Sequence, residues 1–169
     1  MLENIKLVIF DVDGVLTDGR IIFDSKGVET RFFHVHDGTG IKFLMNAGIE
    51  VAFITGRESE VVNIRAKDLG VKHVYQKRLE KAAPFNDLLT KMKIKAEEVC
   101  CVGDDVHDIQ MMRRCGFAVA VRDARPEVKQ AAHYVTKAPG GFGAAREVAE
   151  LIMKAQGKWE TTVYRYTEG

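Results

Sequence analysis

Six short and continuously apolar runs are spaced along the chain: Ile5–Phe10, Val51–Thr55, Val71–Tyr75, Val99–Gly103, Phe117–Val121 and His133–Thr136. Runs of this length, lacking the alternation of a half-solvated strand, predict strands buried on both faces. Between them apolar positions recur at helical spacing and predict helices over Gly40–Ala47, Glu58–Leu69, Glu80–Met92, Val106–Cys115 and Pro126–Ala132. A last helix, Ala144–Ala155, precedes a polar tail over about residues 157–169. Gly48, Gly70 and Gly116 each follow a predicted helix, where the left-handed conformation open to glycine ends it. Alternation of this kind from end to end predicts an α/β fold: a doubly wound, mostly parallel, Rossmann-like sheet in a single domain spanning 1–169.

The segment Gly19–Val35 departs from that rhythm. Arg20–Phe23 and Val28–Val35 read as two strands joined by Asp24-Ser25-Lys26-Gly27, a turn whose glycine suits positive φ, so a β-hairpin is expected after the first strand. Ile21-Ile22-Phe23 and Phe32-Phe33 put apolar side chains on both faces of this ribbon, more than a solvated hairpin carries. It must either fold back on its own domain or pack against another subunit, and its projection from the ligand end of a sheet favours the second.

Composition narrows the partners. In 169 residues, 25 Lys and Arg balance 24 Asp and Glu, which argues against a nucleic-acid partner or a polybasic membrane anchor. No apolar run approaches the ~20 residues that span a bilayer, and no signal-peptide pattern follows Met1, so no membrane partner and a cytoplasmic location are expected. Cys100, Cys101 and Cys115 lie in apolar segments without CxxC spacing and read as reduced, buried thiols.

The chemistry concentrates where two apolar runs end. Asp11 and Asp13, spaced i, i+2, close the first run ahead of Gly14, and Gly103-Asp104-Asp105 closes another, with Asp108 one turn later. Ligands of open α/β sheets bind at that end of the strands. If the two strands are neighbours, as many as five carboxylates converge. A pair of like charges ~4 Å apart costs about 4 kcal/mol at an effective dielectric of 20, so such a cluster needs a counter-cation or bound protons. An all-oxygen donor set points to Mg²⁺. Thr55 ends the second run and Lys81 opens the helix after the third, so a hydroxyl and an ammonium join the aspartates, the combination that phosphoryl transfer needs. The histidines are scattered and read mostly as structural or surface residues.

Asp11-Val12-Asp13-Gly14-Val15-Leu16-Thr17, Thr55-Gly56, Lys81 and Gly103-Asp104-Asp105, in this order, resemble the four motifs of the haloacid dehalogenase superfamily over essentially the whole chain. The resemblance implies that Asp11 is a nucleophile forming an aspartyl-phosphate. Asp13 would protonate the leaving oxygen and then activate water, while Thr55 and Lys81 hold phosphate oxygens. Mg²⁺ would be held by the carboxylates of Asp11 and Asp104 and the main-chain carbonyl of Asp13, with Asp105 or Asp108 in support. The stretches from Asp13 to Thr55 and from Thr55 to Lys81 are too short for the cap domain many members insert, so the chain groups with the capless members, whose open site must be closed by substrate bulk or another protomer.

Among capless members the chain is most similar to those that hydrolyse an eight-carbon 3-deoxy sugar-acid phosphate, a step toward bacterial lipopolysaccharide. The likeness lies in the hairpin with Phe33–Lys42, Ile54-Thr55-Gly56-Arg57, and Gly140–Val148 leading to Ala155-Gln156-Gly157-Lys158. It implies a homotetramer whose hairpins meet, a C-terminal tail that reaches a neighbour's site, and a sugar-acid pocket lined by Asp13, His34, Val35, His36, Asp37, Gly38, Lys42, Arg57, Arg65 and Lys81. Arg57 suits a substrate carboxylate as a bidentate partner. His36 stands where that group usually has arginine. A phosphatase for a nine-carbon neuraminate-like acid 9-phosphate is the alternative, though such enzymes tend to carry an acidic residue at the Arg57 position. A non-catalytic receiver-like phosphoacceptor is a third reading, but in receivers no second carboxylate follows the phosphoacceptor at i+2.

Overall fold

Every side chain of β1 (Leu7–Phe10) is buried, as a strand can be only at the centre of a sheet covered on both faces. The computed structural model, which describes residues 1–168, places it there. Around it lie β4 (Glu50–Ile54), β5 (His73–Tyr75), β6 (Val99–Gly103), β7 (Phe117–Ala120) and β8 (Tyr134–Val135), in the order β5-β4-β1-β6-β7-β8 with every neighbouring pair parallel. All six predicted strands are present. In register, Phe10 pairs with Phe53 on one side and Val102 on the other, so β1, β4 and β6 end side by side. The crossovers are α2 (Glu60–Leu69), α3 (Ala82–Met92), the short α4 (Ile109–Met112) and α5 (Pro126–Ala131). No cap domain is inserted: β1 connects to β4 through a hairpin, β2 (Ile22–Phe23) and β3 (Glu29–Thr30), and α1 (Val35–Asn46).

Several elements differ from their predicted extents. The second hairpin strand stops at Thr30, and α1 starts at Val35 rather than Gly40, with the His34 ring accepting from the His36 N–H at its N-terminus. Gly38 and Gly40 masked this first turn because glycine is a poor helix former. They stand there because the helix passes close to its neighbours: a Cβ on Gly38 would collide with the Arg65 guanidinium, and one on Gly40 would sit 3.0 Å from Arg146 Cα. The segment Val106–Cys115 is a 3₁₀ turn, Val106–Asp108, followed by α4, because the Asp108 carboxylate accepts from the N–H groups of Asp104 and Asp105. Gly48 and Gly70 take positive φ as expected, but Gly116 does not; it is glycine because a Cβ there would strike the Glu97 backbone.

The expected polar tail is helical. After α6 (Ala144–Ala155), α7 (Trp159–Thr167) folds back on α1, with Trp159 and Tyr166 centred 6.1 and 5.7 Å from the Phe43 ring. Trp159, Val163 and Tyr166 form an i, i+4, i+7 stripe that an otherwise polar composition hid. On the hairpin, Ile21, Phe23, Val28 and Phe32 are at least half exposed, as is Val35 at the start of α1, so this apolar surface does not fold back onto the chain.

Asp37 fastens α1 to α6, its two carboxylate oxygens accepting from the N–H groups of Gly143, 3.2 Å, and Arg146, 2.9 Å. Asp37→Ala is expected to lower the unfolding free energy by about 1–2 kcal/mol in a urea titration, the usual loss for a helix cap.

Candidate active site

Because β1, β4 and β6 end in register, the residues that follow them emerge together. Asp11 continues the ladder through its N–H to Val102 O, 3.1 Å, and Thr55 through its N–H to Tyr75 O, 2.9 Å. Asp104 follows Gly103, and Lys81 stands at the head of α3. Asp11, Asp13, Thr55, Arg57, Lys81 and Asp104 line one pocket of about 260 Å³, with Asp105, His107 and Asp108 on its wall. The four motifs, far apart in sequence, thus meet at one place.

Lys81 organises the floor. Its side chain is 2% exposed, and Nζ lies 2.8 Å from Asp11 Oδ1 and 2.5 Å from Asp108 Oδ1. Burial works against the ammonium, but the two carboxylates outweigh it and hold its pKa above that of an ordinary lysine. Asp104 has no such cation: burial first, then the charges of Asp11 and Asp108, push its pKa up to about 9. Its Oδ1 is buried without a hydrogen-bond partner. Gly14, at φ +86°, passes so close that a Cβ there would overlap the Asp104 carboxylate. Carboxylate oxygens of Asp11, Asp104 and Asp108 lie within 4.8 Å of one another, so this set, with an orphaned buried oxygen among hard donors, fits a divalent cation such as Mg²⁺.

Asp13 lies apart from that cluster. Its Oδ1 is 2.9 Å from Nη1 of Arg31, whose side chain is also 2% exposed. Burial raises the Asp13 pKa, and Arg31 and then Arg57 counter part of the rise. Glu29 accepts from Arg31 and Arg57 through Oε1 and from the Ser59 hydroxyl through Oε2. Arg31, Glu29 and Ser59 were not singled out from sequence. Strand alternation does carry the signal, since Glu29 and Arg31 share the face opposite Thr30 and Phe32, but the apolar residues of the hairpin dominated its pattern. His107, read as ordinary, also reaches the pocket wall.

The other predicted substrate residues are not on this pocket within one chain. His34, Asp37, Gly38 and Arg65 surround a separate narrow crevice beside Phe33, where the Arg65 guanidinium lies over the ring, 5.3 Å from its centre, and pairs with Asp68. Asp37 is turned to α6, and Val35, His36 and Lys42 are exposed on α1.

An open, capless parallel sheet with an aspartate pair at its central strand defines the class, and the sequence pattern of the haloacid dehalogenase-like hydrolases matches residues 60–145. The chain belongs to that family. It is 48% identical to the 3-deoxy-D-manno-octulosonate 8-phosphate phosphatase KdsC of Escherichia coli K12 over 156 residues, 92% of this chain and 83% of that protein. Among solved structures it resembles the Moraxella catarrhalis 3-deoxy-D-manno-octulosonate 8-phosphate phosphatase in complex with magnesium, phosphate and KDO, with a TM-score of 0.97, 39% identity and coverage of 98% of this chain and 95% of that one. It also resembles the cobalt-bound Haemophilus influenzae enzyme, with a TM-score of 0.91, 45% identity and coverage of 95% and 94%.

Without metal, the Asp104 pKa of about 9 lies above the ordinary value of 3.8. The folded chain therefore holds the extra proton, and this contribution to stability is complete below about pH 4 and is lost as pH rises toward about 9. A divalent cation competes with that proton. Mg²⁺ is accordingly expected to raise Tm more at about pH 8.5 than at about pH 6, as read by scanning fluorimetry.

Proposed function

We propose that the chain is a Mg²⁺-dependent phosphatase that hydrolyses 3-deoxy-D-manno-octulosonate 8-phosphate to the free sugar acid and phosphate, a cytoplasmic step in supplying lipopolysaccharide. The observation that carries this is the aspartate pair at the end of β1, with each carboxylate facing its own buried cation, Asp11 on Lys81 and Asp13 on Arg31. The relatives named for that substrate align over nearly the whole chain and support the choice of sugar acid.

The chemistry follows from the two environments. The ionised Asp11 carboxylate attacks phosphorus as the bond to the sugar oxygen breaks, and Asp13, whose burial favours its protonated form, gives that oxygen its proton. The Asp13 carboxylate so formed takes a proton from water, which attacks the aspartyl-phosphate, releases phosphate and regenerates Asp11. Lys81 stays charged throughout and lies where negative charge develops. Held by Asp11, Asp104 and the Asp13 main-chain carbonyl, with Asp108 behind, Mg²⁺ would neutralise phosphate oxygens. Thr55 stands ready to donate to them. The Arg57 side chain lines the pocket and is partly exposed, which leaves its guanidinium accessible to the substrate carboxylate. His34, Val35, His36, Asp37, Gly38, Lys42 and Arg65 belong in this reading to the sugar-acid end, which a second subunit completes. The exposed apolar residues of the hairpin support a homotetramer, and the three free cysteines suit a reducing compartment.

Asp11→Asn is expected to abolish turnover while the fold remains. Asp13→Asn should slow turnover by about 10²- to 10⁴-fold and accumulate phosphorylated Asp11, visible by mass spectrometry of acid-quenched protein. Steady-state kcat/KM should favour the eight-carbon 8-phosphate over a nine-carbon acid 9-phosphate, and the opposite preference would overturn the substrate assignment. Light scattering should give the mass of four chains, and Phe23→Glu should shift it to smaller species.

A further inference from the structure

Asp13 has a neighbour that the reaction described above does not use. Arg31 follows β3 on the hairpin, yet its guanidinium is buried with Nη1 2.9 Å from Asp13 Oδ1. A buried guanidinium needs countercharge and hydrogen bonds on its remaining sides. Glu29 provides them, accepting from Nε at 3.2 Å and Nη2 at 3.0 Å. Glu29 is itself held by the Ser59 hydroxyl at 2.6 Å and by Arg57 Nη2 at 3.2 Å. Ser59 precedes α2 and Arg57 follows β4, so Arg31 is anchored to the body of the sheet as well as to the hairpin. The one group left over on the guanidinium, Nη1, faces Asp13.

We propose that Arg31 is a positioning residue for Asp13: the guanidinium anchored by Glu29 attracts the Asp13 carboxylate as an ion pair, without a directed hydrogen bond, and so keeps it within reach of the phosphoester oxygen. The proposal rests on the assignment of Asp13 as acid and base. Lys81 and Arg57 also exert charge on Asp13, and without Arg31 the carboxylate is free to turn toward either of them and away from the leaving group. Displacement of a catalytic group by about 1 Å costs on the order of 10²-fold in rate.

The test is a double-mutant cycle on the full-length chain with Mg²⁺ present. Arg31→Met and Arg31→Lys are made alone and together with Asp13→Asn. For each, kcat and KM are measured on the sugar-acid phosphate, and the rate of Asp11 phosphorylation is measured by rapid quench with the same substrate, whose alkoxide leaving group needs the proton. Arg31→Met should lower kcat by about 10- to 100-fold and leave KM within about threefold, and Arg31→Lys should recover most of the loss. Beside Asp13→Asn, Arg31→Met should change the phosphorylation rate by less than about threefold, since a residue that acts through Asp13 has nothing left to position. An equal loss in both backgrounds, or an unchanged kcat in Arg31→Met, would overturn the proposal. Should Arg31→Met not fold, Arg31→Gln, which keeps a polar side chain but no charge, takes its place in the cycle, and the same two outcomes support or overturn the proposal. Full activity in Asp13→Asn would instead overturn the acid–base assignment and this proposal with it.

Discussion

At the end of the central strand, two carboxylates, Asp11 and Asp108, meet a single buried ammonium, that of Lys81. Unit charges ~4 Å apart interact by about 4 kcal/mol at an effective dielectric of 20, so two such acids without a cation would oppose the very strand alignment that joins them. Lys81 offsets only part of that opposition, since burial and the Asp11 charge still push the Asp108 pKa up to about 6, and it leaves nothing for Asp104, whose pKa is pushed up to about 9. Three carboxylates against one ammonium leave the cluster two positive charges short. Two protons or one divalent cation complete it, and only the cation leaves all three carboxylates available as ligands.

The rest of the fold makes this concentration of charge tolerable. A parallel sheet whose strands end in register delivers main-chain-tethered carboxylates to one rim, while wholly buried β1 and β6 keep their bases rigid. Close backbone approach at Gly14 then sets how near Asp104 comes. The helices behind the rim are locked by contacts of their own, such as the hold of Asp37 on the start of α6. Rigidity at this level matters because an electrostatic site works only while its charges keep their places.

What could be read from sequence follows a physical division. Asp11, Asp13, Thr55 and Asp104 were legible because each follows an apolar run, and burial fixes where such a run ends. Lys81, at the head of a helix, was legible only through its order among the other motifs. The partners Arg31, Glu29 and Ser59 were not, because side-chain pairing between residues such as Glu29 and Ser59 leaves no periodic trace in either segment. Asp37 was read as a pocket residue by likeness, yet its carboxylate bonds to a backbone more than a hundred positions away, a contact that depends on α1 crossing α6. The start of α1 was obscured by two glycines kept for close packing, and α7 by a polar composition around three aromatic or aliphatic positions.

The two aspartates differ in how their cations hold them, and the difference suits the role proposed for each. Lys81 brings a compact ammonium to Asp11, a point charge suited to the oxygen proposed to attack phosphorus. Arg31 is close to Asp13 but off line for a hydrogen bond, so neither atom of that contact finds a directed partner. Such a contact supplies charge without tying up the oxygen's lone pairs. A carboxylate that must give a proton in one half of the reaction and take one in the other cannot be bound tightly in its ionised form, since that would lower its pKa and weaken it as an acid. Burial pushes the Asp13 pKa up, and Arg31 draws it part of the way back. Two carboxylates only two residues apart thus sit in environments suited to the separate roles proposed for them, because the chain brings each a cation of different shape from a different element.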